Sequence, residues 1–299
     1  MATAIFGQVV TAMATPFDAQ GRVDETGVAR LVAHLLDNGS DGIVVCGTTG
    51  ESPTLSHEEK LRLFRLVKKE VGGRGSVIAG TGGNDTAVSV ALTKEAAEIG
   101  VDAALLVVPP YNRPSQEGMY QHFRTIAEGV PNLPCILYNV PARTAQNLDA
   151  ATTVRLAQDV SNIVATKEAS GNLIQCAEIF ANAPADFALY SGDDALTLPL
   201  LAVGGVGVIS VSAHLVGRDM KAMHTAFFAG DHAEAARLNA KMLPIVRALF
   251  QPTTASPAPL KAALNFLGVA AGGLRLPLVE ANEKERGIVR AALADYGLL

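Results

Sequence analysis

Lys167 ends the run Ile163-Val164-Ala165-Thr166-Lys167, whose other residues suit a buried strand. Low-dielectric surroundings disfavour the ammonium, and a neutral lysine amine attacks carbonyl carbon to form an imine. The same position equally suits a lysine that snorkels to the strand mouth or pairs with Glu168. Other groups able to do chemistry recur after apolar runs: Gly47-Thr48-Thr49-Gly50-Glu51-Ser52, Pro109-Pro110-Tyr111-Asn112, Tyr138-Asn139-Val140-Pro141-Ala142-Arg143-Thr144, Ser191-Gly192-Asp193-Asp194 and Ser210.

Each of these has a plainer reading. Gly47 to Gly50 is also a tight turn whose threonines bond their own backbone, and no Gly-Lys-Ser/Thr follows to make it a P-loop. Tyr138 fits a core position with a satisfied hydroxyl. Arg143 fits a surface ion pair as well as a forked clamp for a carboxylate. Asp193-Asp194 points to opposite sides of the chain, which suits a helix N-cap better than one shared metal ion. Gly204, Gly205 and Gly207 fit either a phosphate loop or close helix-strand packing.

The elements that must position these residues are legible as eight apolar runs: 7–13, 42–46, 77–80, 103–108, 134–138, 163–167, 187–190 and 206–210. Amphipathic stretches separate them. Ser56 with Glu59 forms a capping box ahead of Leu61, Phe64 and Val67, and Gly39, Gly72 and Gly100 sit where helices stop. Eight β/α units predict a (β/α)8 TIM barrel, in which reactive residues gather at the carboxyl ends of the strands. We read residues 1–225 as that barrel and 226–299 as a C-terminal extension of three helices, 231–250, 259–267 and 282–296.

Composition narrows the partners. Hydrophobic residues at 49% against 18% charged exclude a disordered chain, and a net charge of -5 supplies no counterion-release footprint for nucleic acid. Cys46, Cys135 and Cys176 have neither disulfide nor metal-ligand spacing, so reduced thiols and no metal are expected. The N-terminus has no Lys or Arg before Arg22, which makes a cytoplasmic location the expectation. Residues 195–217 carry no Asp, Glu, Lys or Arg and could span a bilayer, but Pro199, the glycines and His214 favour a buried helix followed by a buried strand.

With the motifs around Thr48, Tyr138, Lys167 and Gly192 in this order, the chain closely resembles the dihydrodipicolinate synthase family, end to end. That family belongs to the pyruvate-dependent, N-acetylneuraminate lyase-like class I aldolases. The Thr48 and Lys167 motifs are shared across that superfamily, whereas Arg143 in Tyr-Asn-Val-Pro-x-Arg marks the narrower family. The resemblance implies condensation of pyruvate with L-aspartate-4-semialdehyde toward diaminopimelate and lysine, with no cofactor beyond a covalent lysine imine. It implies Lys167 as the imine-forming residue and Tyr138, Thr48 and Tyr111 as a hydroxyl relay, Tyr111 being lent by a neighbouring subunit of a homotetramer built from dimers. Thr49, the Ile209 carbonyl and Gly192 would hold pyruvate, and Arg143 the semialdehyde carboxylate. A relative acting on a keto-sugar acid is the alternative, and a silent paralogue that only binds a keto acid is a third.

Two departures bear on regulation. Pro110-Tyr111 stands where the family commonly has two tyrosines. Lysine-inhibited members place an acid and a second histidine in the effector cleft, where this chain has Val88 and Lys60 beside Ser52, His57 and Asn84. A cationic Lys60 repels the effector's ammonium, so weak or absent lysine feedback is expected.

Overall fold

The computed structural model describes residues 2–269 and 271–299. In chain order the elements are β1 Val9–Ala12, α1 Glu25–Asp37, β2 Gly42–Val45, α2 His57–Val71, β3 Ser76–Gly80, α3 Thr86–Ile99, β4 Ala103–Val107 and α4 Gln116–Glu128. Then follow β5 Cys135–Asn139, α5 Pro141–Thr144, α6 Ala150–Asp159, β6 Ile163–Glu168, α7 Leu173–Asn182, β7 Ala188–Ser191, α8 Thr197–Ala202, β8 Gly207–Ser210, α9 Ala213–Phe228, α10 His232–Leu249, α11 Pro257–Phe266 and α12 Glu283–Tyr296. The strands form a closed parallel barrel in sequence order. Closure comes from β1 against β8, with Val10 opposite Ile209.

Strand parity sorts the side chains into two cores. Val10, Val44, Ile78, Leu105, Ile136, Ala165, Ala188 and Ile209 fill the barrel. Their neighbours Val9, Ile43, Val77, Leu106, Leu137 and Val208 face the helical layer, joined by Ile163, which a register shift between β5 and β6 ahead of Ala165 turns outward. Lys167 lies two residues beyond Ala165 and pairs in register with Tyr138 and Tyr190, so it belongs to the interior set.

The local signals act as expected. Ser56 and Glu59 close their capping box on α2, and Gly72 and Gly100 end α2 and α3 in the left-handed region. β1 starts at Val9 rather than Gly7, because Gly7 has φ +93° and the Asp41 carboxylate takes the Gln8 and Val9 N–H groups before pairing begins. The uncharged stretch 195–217 divides among α8, β8 and the start of α9. No helix among the described residues is long and apolar enough to cross a membrane.

Candidate active site

Lys167 is 5% exposed, and its amine lies 4.3 Å from the centre of the Tyr138 ring, on the adjacent strand. That places an amine and a phenol side by side in the barrel, at its carboxyl end. Gly192, at the exit of β7, lies against the lysine stem. A methyl group there would come within 3.0 Å of Lys167 Cε, 3.1 Å of Cγ and 2.8 Å of Ala169 Cβ. Glycine is therefore required sterically beside the lysine.

Glu168 is not the lysine's counterion. Parity sends it to the opposite face of β6, where its carboxylate accepts from Asn139 Nδ2 at 3.1 Å, Gln175 Nε2 at 2.9 Å and the Ser170 N–H at 2.7 Å. A buried carboxylate needs such donors. The network ties β5, β6 and α7 together directly behind Tyr138 and Lys167. Tyr190, the lysine's other neighbour in register, accepts from the Phe6 N–H at 3.2 Å, and burial pushes its phenol up to about 12. It belongs to the barrel floor.

Above Tyr138 opens a cavity of about 530 Å³ whose walls include Thr48, Tyr138, Val140, Arg143 and Thr144. Three of the residues singled out from sequence, Thr48, Tyr138 and Arg143, thus face one space. Arg143 is exposed on α5, a single turn started by Pro141, and its guanidinium reaches Ser256 Oγ at 3.4 Å. Thr49 and Ile209 are buried close to the strand ends rather than in the cavity wall. Tyr111 is not brought into this cavity: it is 92% exposed, at φ +73°, on a loop anchored by Asn112 Nδ2 donating to Asn84 O.

The carboxyl ends of β1, β2, β7 and β8 are bonded into one rim. Thr15 Oγ1 donates to Gly50 O at 2.7 Å. His214 accepts the Ala14 N–H on Nε2 and donates from Nδ1 to Val211 O, and burial holds it neutral with a pKa of about 4. Asp193 caps a 3₁₀ turn by accepting from the Ala195 N–H, as the N-cap reading anticipated. Asp194 accepts from the Val211 and Ser212 N–H groups, which sets the turn beyond Ile209, and burial raises its carboxyl pKa.

Several functional positions escaped the sequence. The end of β3 supplies Thr81, Gly82 and Gly83 to the cavity wall, beside Asn84, which the sequence marks only for the effector cleft. The Gly-Thr-Gly-Gly cluster was the available signal. A Cβ at Gly80 would stand 2.4 Å from Cys46 O, and one at Gly82 2.4 Å from Val107 N, so three strand ends converge only because side chains are missing. The glycines before and at the start of β8 serve packing, since Phe180, Leu200 and Gln8 occupy the space beside Gly204, Gly205 and Gly207. No group of three or more His, Cys, Asp or Glu residues among those described could hold a metal ion. The cysteines are free and buried.

Residues 5–296 match the model of the Dihydrodipicolinate synthetase family. The 4-hydroxy-tetrahydrodipicolinate synthase of Moorella thermoacetica is 58% identical over 294 residues, 98% of this chain and 99% of that protein. Among solved structures, the DHDPS of Cyanidioschyzon merolae with lysine bound superposes with a TM-score of 0.96 at 48% identity, covering 98% of this chain and 99% of that one. A dihydrodipicolinate synthase of Bacillus anthracis gives 0.94, also at 48% identity and with the same coverage.

Proposed function

Because the chain belongs to the dihydrodipicolinate synthetase family, we propose as its function the condensation of pyruvate with L-aspartate-4-semialdehyde to 4-hydroxy-tetrahydrodipicolinate, on the path to diaminopimelate and lysine. It is a lyase of the class I aldolase type. The observation that carries this reading is the Lys167 amine set 4.3 Å over the Tyr138 ring, beneath a cavity shared with Thr48 and Arg143.

In the proposed course, the Lys167 ammonium gives up a proton, the amine adds to the pyruvate keto carbon, and loss of water leaves the imine. The imine nitrogen withdraws electrons, so a proton leaves the pyruvate methyl and the resulting enamine carbon bonds to the aldehyde carbon. The semialdehyde's own amino group then adds to the former keto carbon, closing the ring and returning Lys167. Water and protons must move at each stage. In this reading Tyr138 and Thr48 supply the hydroxyls that move them. Thr49, the Ile209 carbonyl and Gly192 border the pyruvate end, and Arg143 offers its fork to the semialdehyde carboxylate at the mouth.

Tyr111 completes the relay in a neighbouring subunit, a role that its 92% exposure in the single chain supports. We accordingly propose a homotetramer of dimers acting in the cytoplasm, with no cofactor beyond the lysine imine. Residues 1–225 act as the catalytic barrel and 226–299 as its extension. The test is a steady-state comparison of second substrates with pyruvate held saturating. L-aspartate-4-semialdehyde should be consumed, and keto-sugar acids should not turn over. Turnover of a keto-sugar acid in place of the semialdehyde would assign the chain to the other branch of the superfamily.

A further inference from the structure

Glu51 occupies a left-handed backbone position, φ +57°, directly after the turn that carries Thr48 and Thr49. Glycine takes that conformation without steric cost, so the side chain must supply something else. Its carboxylate turns away from the cavity and is fully buried, accepting from the Arg275 N–H at 3.0 Å. The Lys261 ammonium stands 2.7 Å from the other oxygen, with the two side chains 1% and 0% exposed. Lys261 crosses the face of Phe17 at 4.2 Å and donates to Gly273 O at 2.6 Å. A lysine inside α11, between apolar residues all buried, is thereby explained by a partner 210 positions earlier in the chain.

The backbone carries the pair's position into the site. The Glu51 N–H donates to Thr48 O at 3.1 Å, and the Ser52 N–H to Gly47 O at 3.3 Å. Arg275 fastens the far side of the same loop, donating to Thr54 O and to both oxygens of Glu59. Two desolvated charges add little net stability over an apolar pair, and what they do supply is a fixed separation.

We propose that Glu51 and Lys261 are positioning residues for the reaction, locking the Thr48–Thr49 turn to α11 so that the C-terminal helices form part of the active site. This rests on the imine reading of Lys167. The test uses Glu51→Gln, which keeps the shape and removes the charge, and the double variant Glu51→Gln/Lys261→Met, which leaves no buried charge unpaired. Pyruvate imine formation is followed in a single turnover by borohydride trapping, alongside thermal unfolding and steady-state kinetics.

In folded variants imine formation should slow about tenfold or more, with a raised KM for pyruvate. Wild-type trapping rates in a folded double variant would overturn the proposal. So would failure of both variants to fold, since the pair would then serve the fold alone. Failure of the wild-type protein to trap pyruvate on Lys167 would instead overturn the underlying reading.

Discussion

Replacing Gly192 with alanine tests whether the lysine's position is set by the β7 exit. The new methyl would lie 2.8 Å from Ala169 Cβ and 3.0 Å from Lys167 Cε, whereas carbons settle at about 3.5–4.0 Å. Something must therefore move by roughly half an ångström or more. Ala169 has no rotamer to change, so relief of that contact takes backbone movement at the exits of β6 or β7, and the lysine stem must yield as well. A shift of about 1 Å at a reacting group costs on the order of 100-fold, which makes a loss of about 10- to 100-fold the expectation here. Overpacking of this kind costs roughly 1–3 kcal/mol, so the variant should still fold. The assay is the single-turnover rate of pyruvate imine formation. Gly287→Ala, where nothing lies within 4 Å of the added carbon, is the matched control and should react like wild type. Imine formation by Gly192→Ala within twofold of the control would refute the steric argument.

Three further outcomes follow from the geometry. Arg143→Ala should lower kcat/KM for the semialdehyde about tenfold, the equivalent of ~1.5 kcal/mol for a charge-assisted bond at an exposed position, and leave pyruvate imine formation unchanged; an equal loss in both would remove Arg143 from the second-substrate role. Activity should persist in sub-millimolar lysine, because Lys60 and Val88 line the cavity beside Ser52 and Asn84, and strong inhibition there would contradict this. Burial holds His122 and His214 at about 4 against an unfolded 6.5, so between those values the unfolded chain binds the extra protons. Stability is then complete above about pH 6.5 and falls toward pH 4 by roughly 1.4 kcal/mol per pH unit for each histidine. In urea unfolding His122→Gln should remove one histidine's share of that slope, and an unchanged slope would refute the assignment.

The barrel was legible because its determinants are local. Each strand is a short apolar run, and helix boundaries at Ser56, Gly72 and Gly100 follow from capping groups within a turn of one another. Lys167 was legible as a charge where an interior strand position should be apolar. The end of β3 was overlooked because its contribution is an absence of side chains, and glycine signals a turn as readily as a convergence of backbones. Lys261 was invisible for another reason. Its meaning depends on Glu51, and no pattern within α11 reports a contact made through the folded chain. Tyr111 shows the opposite limit. Its 92% exposure in the single chain leaves its chemistry to whatever packs against it.

The most direct test of the central claim is borohydride reduction of the wild-type protein with pyruvate, followed by peptide mass mapping. A single reduced pyruvate adduct on Lys167, absent without pyruvate and absent in Lys167→Ala, is the predicted result. No adduct, or an adduct confined to another lysine, would contradict the account.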